Sequence, residues 1–251
     1  MTPDSPLVDE VLPSPNFDER QVSAPDILML HYTGMEDGQK AAKWLAMPVS
    51  KVSCHYLVHE DGRVVQLVRE ASRAWHAGAG KWQGREDVNS RSIGIEIVNP
   101  GHEFGYRAFP EAQIERLIEL CRDVLSRWPI EPRNVLAHSD TAPSRKQDPG
   151  ELFPWHRLHA AGIGHLVPAE PIGGGRFIAL GDEGAPVAAF QELLALYGYG
   201  IEINGRFDEA TRFATLAFQR HFRPERVDGV ADVSTVATLH RLLSALPAQT
   251  A

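Results

Sequence analysis

The sequence predicts an α/β fold joined to a small helical unit, and three observations carry that reading. Short apolar runs at 27–30, 54–58, 64–68 and 92–98 have the length and β-branched content of strands. Residues 110–128 set Ile114, Leu117, Ile118, Cys121 and Leu125 on one helical face, with a proline at the start. Beyond a break rich in Pro and Gly at 167–176, the pattern turns helical around a repeated glycine–aspartate turn. A chain of 251 residues is long enough for one full core and a smaller companion.

Composition narrows the classes of function. Hydrophobic content of 43% and charged content of 23% are ordinary for a soluble globular protein. A net charge of −8 without any Lys/Arg run argues against nucleic acid or an anionic membrane as the main partner. Cys54 and Cys121 sit inside apolar patterns, so no disulfide framework is implied. No stretch approaches the length of a transmembrane span. The first residues lack a basic segment followed by an apolar core, so a cytoplasmic protein is expected. The alternative is the periplasm or cell envelope, should a leader precede this sequence. A monomer is expected.

Taken in order, residues 1–24 are rich in Pro, Ser, Asp and Glu and read as an extended arm. The run at 27–30 reads as a buried central strand, and it delivers His31 to a Tyr-Thr-Gly turn. A lone histidine is usually a satisfied core residue; at a strand end before a polar turn, His31 is the better candidate for a ligand. A short helix over 39–47 is stopped by Pro48. Residues 54–58 and 64–68 flank an Asp-Gly pair and form a β-hairpin. Cys54 and His55 are neighbours on a strand and point to opposite faces, so they are not a nucleophile–base pair, and Cys54 reads as core.

The small-residue loop 74–78 carries Trp75 and His76, which read either as packing or as the wall of a cleft. Trp82, Arg85 and Asn89 would suit the opposite wall. Glu96 is the one acid inside the apolar strand 92–98. A carboxylate there is costly unless paired, its pKa tends to rise, and such a group is a candidate general base. The bland alternative is an edge strand with Glu96 facing water.

Residues 134–138 form another short strand that feeds the loop 136–150, where His138, Lys146 and Asp148 stand together and Ala-Pro and Asp-Pro pairs stiffen the backbone. His138 and Asp148 suit zinc, whose catalytic sites take three protein ligands and leave a fourth position open. His156 and His159 have a spacing that could bind metal, but they read as solvated or packing residues on a helix flank. In the C-terminal unit, Asp208 and Asp232 each follow a glycine turn and are expected to cap helices.

Five motifs in one order carry a family resemblance: LHYT (30–33), CHYLVHEDG (54–62), AWHAG (74–78), NSRSIGIEIVN (89–99) and AHSDTAPSRKQDPG (137–150). Residues 27–164 resemble the zinc-dependent N-acetylmuramoyl-L-alanine amidases of the peptidoglycan-recognition-protein fold, the AmpD/AmiD type. The C-terminal part, with Phe218-Gln219 and the two glycine–aspartate turns, is similar to peptidoglycan-binding three-helix modules. The resemblance implies a central mixed β-sheet flanked by helices, with an arm at 1–24, a zinc amidase domain at 25–167, a linker at 168–176 and a peptidoglycan-binding-like helical domain at 177–251. It implies Zn2+ held by His31, His138 and Asp148, Glu96 as general base, and Lys146 steadying the developing oxyanion. Tyr56, Trp75, His76 and Asn89 would contact a peptidoglycan or muropeptide substrate.

The sequence departs from the AmpD pattern at Asp87, where that pattern has an arginine that contacts the peptide carboxylate; Lys51 would take over part of that contact. A non-catalytic peptidoglycan-recognition protein is the alternative, and such proteins lose a zinc ligand. Residues 177–251 hold no acid–base pair or ligand cluster, so they are expected to take no part in the chemical step. A chain ending near Pro171 is accordingly expected to fold and to keep its rate on a soluble substrate.

Overall fold

The computed structural model of the protein describes residues 1–247. In chain order the elements are β1 (Glu10–Val11), β2 (Phe17–Glu19), β3 (Ile27–Tyr32), α1 (Gly38–Ala46), β4 (Tyr56–Val58), β5 (Val64–Gln66), β6 (Ser72–Ala74), α2 (Val88–Arg91), β7 (Ser92–Ile97), α3 (Glu111–Arg127), β8 (Val135–Ala137), α4 (His138–Thr141), α5 (Trp155–Ala160), α6 (Ala185–Tyr197), α7 (Glu209–Phe222) and α8 (Val233–Ser244). Six strands make one mixed sheet in the order β1-β5-β4-β7-β3-β8. The hairpin β4–β5 is antiparallel, while β4, β7, β3 and β8 run parallel. The N-terminal arm is built into the structure: β1 adds to β5, and β2 pairs with β6.

Alternation along the strands gives the sheet two apolar faces. On β3, Leu28 and Leu30 face α3 and pack with Ile93, Ile95 and Ile97 of β7 and with Ile114, Leu117, Leu120 and Val124. Ile27 and Met29 face the other way, and there they share a core with Leu136, Trp82, Phe190, Leu194, Phe218 and Leu239. The second core therefore runs from the sheet straight into α6, α7 and α8. Trp82 is fully buried between the two parts: its ring meets Tyr199 edge-on at 5.3 Å, and its Nε1 donates to Asn134 Oδ1 at 3.1 Å. It does not form a cleft wall. Its apolar ring found a partner that lies more than a hundred residues away in sequence.

The helical unit is held together by a device used twice. Asp208 and Asp232 accept from the backbone N–H of Thr211 and Thr235 and cap α7 and α8, as the sequence predicts. Gln191 reaches from α6 into the first glycine turn and Gln219 from α7 into the second, each accepting two turn N–H groups. The preceding segment is tied to α8: Glu170 N–H donates to Thr238, and Ser234 donates to the Glu170 carbonyl.

Candidate active site

The parallel strands β3, β7 and β8 end side by side, the place where open α/β sheets gather their site residues. The register pairs His31 directly with Glu96, and Leu30 with Ala137, so His138 emerges next to His31. All three side chains project from the face opposite α3. Asp148 comes back to them on the stiff loop, held by the Ser139 N–H donating to its carbonyl at 3.1 Å.

His31 Nδ1 lies 2.9 Å from His138 Nδ1 and 2.9 Å from Asp148 Oδ2, and His138 Nδ1 lies 3.0 Å from the same carboxylate oxygen. The outer ring nitrogens fix what these inner atoms are. His138 Nε2 is 2.9 Å from the Ala77 carbonyl, which only accepts, so Nε2 carries the proton and Nδ1 presents a lone pair. The other side is a relay that ends on a carbonyl: Ser92 Oγ donates to Val88 O at 2.6 Å and accepts from His76 Nε2 at 3.1 Å. His76 Nδ1 then accepts from His31 Nε2 at 3.0 Å, leaving a lone pair on His31 Nδ1 as well. Three acceptor atoms thus converge with no proton between them, an arrangement that a cation completes. Burial pushes His31 down to about 4, which keeps the ring neutral and able to ligate.

Glu96 opens onto the same cleft, and its Oε2 is enclosed without a hydrogen-bond partner. Burial and the nearby Asp148 charge push its carboxyl well above the ordinary range, with Lys146 pulling the other way. The cleft holds about 390 Å³ and is walled by Tyr32, Trp44, His102 and Lys146 among others. Beside it an adjoining pocket of about 320 Å³ is lined by Lys51, Trp75, His76, Asn89, Arg145 and Lys146.

Of the residues expected to touch substrate, Lys51, Trp75 and Asn89 are at that second pocket, although Asn89 also spends its Oδ1 on the backbone N–H groups of His76 and Ala77. His76 lines the cleft, yet its two nitrogens are committed to His31 and Ser92, so its work is to orient His31. The sequence offered no sign of this, because the three residues meet only through the sheet. Tyr56 corrects an expectation outright: it is fully buried and donates to Glu70 Oε1 at 2.6 Å, within a core ion cluster that includes Arg127. A tyrosine on a short strand looks the same in sequence whether its face meets solvent or helix. Asp87 accepts from Arg73, so a guanidinium stands beside that position but is paired with the carboxylate.

Gly94 shows how tightly His76 is fitted. A Cβ there would lie 2.5 Å from the imidazole ring. Gly94→Ala is expected to displace His76 and, through it, His31, lowering metal affinity about 10-fold or more, the scale of lost outer support for a ligand. Calorimetric titration of the folded variant checks this.

What these atoms offer is a His-His-Asp cluster that could hold a metal ion, with a carboxylate set beside it. Residues 21–151 match the family profile described as N-acetylmuramoyl-L-alanine amidase, and residues 183–239 match one described as "Putative peptidoglycan binding domain". Over 231 residues the chain is 39% identical to the N-acetylmuramoyl-L-alanine amidase AmiD of Escherichia coli strain K12, covering 86% of this chain and 82% of that protein. It is 34% identical over 165 residues to the 1,6-anhydro-N-acetylmuramyl-L-alanine amidase AmpD of the same organism, covering 59% and 88%. Among solved structures, that of E. coli AmiD with its substrate anhydro-N-acetylmuramic acid-L-Ala-D-gamma-Glu-L-Lys matches with a TM-score of 0.74 at 37% identity, covering 90% of this chain and 92% of the other. AMPDH3 from Pseudomonas aeruginosa in complex with anhydromuramic pentapeptide matches at 0.73 and 32% identity, covering 89% and 93%. The chain belongs to the N-acetylmuramoyl-L-alanine amidase family, and it is an amidase of that specificity. Among the described residues no helix is long and apolar enough to cross a membrane.

Proposed function

We propose that the ion is zinc and that the chain cuts the amide between the lactyl group of N-acetylmuramic acid, or its 1,6-anhydro form, and L-alanine. The observation that supports this best is the triangle of unprotonated donor atoms beside a carboxyl oxygen with no partner. Two neutral imidazoles and one carboxylate are a zinc donor set, and three protein ligands leave a position free. Zinc bound there would lower the pKa of a water to ~7 and polarise the scissile carbonyl.

The chain's own groups do the rest. Glu96 takes a proton from the attacking water and returns it to the leaving amine, so the peptide departs with a neutral α-amino group. Burial favours the carboxyl that holds the proton between the two steps, and Lys146 favours the carboxylate that takes it first. Lys146 brings its ammonium to the cleft, where the tetrahedral oxyanion forms. Lys51, Trp75, Asn89 and Arg145 would take the sugar–peptide chain in the adjoining pocket. A non-catalytic recognition role is the weaker reading, since the ligand set and Glu96 are all present. The C-terminal unit would supply a second attachment to polymeric wall, a gain in avidity of about 100-fold at most.

His31→Ala, His138→Ala and Asp148→Ala are each expected to lose zinc and release of L-alanyl peptide together. Elemental analysis beside a muropeptide assay decides it: a variant with stoichiometric zinc and full turnover removes that residue from the ligand set.

A further inference from the structure

Asp140 is two residues beyond His138, is fully buried, and spends its carboxylate on both parts of the molecule. Its Oδ2 accepts from the Ala137 N–H at 2.8 Å, which closes the turn that carries His138 and Ser139. Ser139 in turn holds the backbone of Asp148. The remaining partners of Asp140 come from the C-terminal unit. Tyr199 OH donates to Oδ1 at 2.8 Å, and His221 Nδ1 donates to Oδ2 at 2.7 Å. The His221 ring is itself fixed, stacked on Trp155 of α5 at 3.7 Å. One residue earlier on α7, Arg220 donates to Gln147 Oε1 at 3.1 Å, next to Asp148. The loop bearing two of the three ligands is therefore gripped near both ends by residues that supply no ligand themselves.

We propose that Tyr199 and His221 are positioning residues for the amidase reaction: by holding Asp140 they fix the turn that presents His138 and anchors Asp148. The C-terminal unit is then part of the metal site's framework as well as an attachment to wall polymer. This rests on the reading of His31, His138 and Asp148 as metal ligands.

A purely structural role would lower stability alone; a positioning role must also change the metal. Tyr199→Phe removes one hydroxyl and keeps the ring, so it is the mildest probe, and His221→Leu removes the second donor. In the full-length chain, zinc titration of the metal-free protein is expected to show affinity weakened about 10-fold or more in each. On a soluble anhydromuropeptide, kcat should fall with KM unchanged, because the substrate pocket is untouched. His221→Asn, whose amide nitrogen takes the place of Nδ1, should recover part of both. Leu239→Ala is the control: it opens a cavity in the second core from α8 and removes none of the hydrogen bonds to Asp140. It should lower the melting temperature and leave zinc affinity as in the wild type.

Wild-type zinc affinity and kcat in folded Tyr199→Phe would overturn the proposal, whether or not His221→Leu folds. Equal weakening in Leu239→Ala would also overturn it, by showing that any loss of stability loosens the ion. A wild-type chain that takes up no zinc would overturn the ligand assignment itself, and the proposal with it.

Discussion

Glu96→Gln is expected to leave zinc content, fold and substrate affinity intact while turnover falls about 100-fold or more, the scale of a lost general base. The amide keeps the shape of the side chain and cannot accept the water's proton. The surroundings favour a clean result: among the described residues Glu96 Oε2 has no hydrogen-bond partner that the substitution would remove. The measurement is single-turnover release of L-alanyl peptide, with zinc determined on the same sample. Near wild-type turnover would make Glu96 a structural acid and send the search for the base elsewhere in the cleft.

A chain ending near Pro171 is expected not to fold, in contrast to what the sequence alone suggests. Removing α6, α7 and α8 would open to water the face of the sheet that carries Ile27, Met29 and Leu136, together with Trp82. Losing the packing of one large aromatic such as Trp82 costs about 3–5 kcal/mol, and whole domains are stable by only about 5–15 kcal/mol. Asp140 would lose two of its three donors at the same time. Solubility and thermal unfolding of the shortened chain test this. A soluble fragment with a sharp melting transition and full activity would show that this face tolerates water.

What the sequence disclosed and what it hid follow one physical line. His31, Glu96, His138 and Asp148 could be picked out because each is a polar group at the end of, or inside, an apolar run, and such exceptions need a reason. The caps at Asp208 and Asp232 were legible because capping is local, three residues from carboxylate to N–H. Tyr56 and Trp82 were misjudged because their partners are distant in sequence: Glu70 and Arg127 for the first, Tyr197 and Tyr199 for the second. His76 does line the cleft, but its bonds to His31 and Ser92 were hidden for the same reason. The Pro- and Gly-rich stretch at 167–176 looks like a hinge in composition. It is pinned to α8 because its backbone and side chains find partners on Ser234, Thr238 and Arg241.

The doubled glutamine device bears on the three helices unequally. In the two overlapping helix–turn–helix pairs, α6 and α8 each belong to one pair, while α7 belongs to both, sending Gln219 forward and receiving its cap from the turn that Gln191 organises. Helix α7 also carries Arg220 and His221 towards the loop of Asp148. A substitution on α7 therefore meets three sets of contacts, more than one on its neighbours. Leu196 on α6 and Val233 on α8 are largely exposed, so a change there disturbs less of the packing. A new binding surface engineered on this unit is therefore better built on those outer faces than on the middle helix.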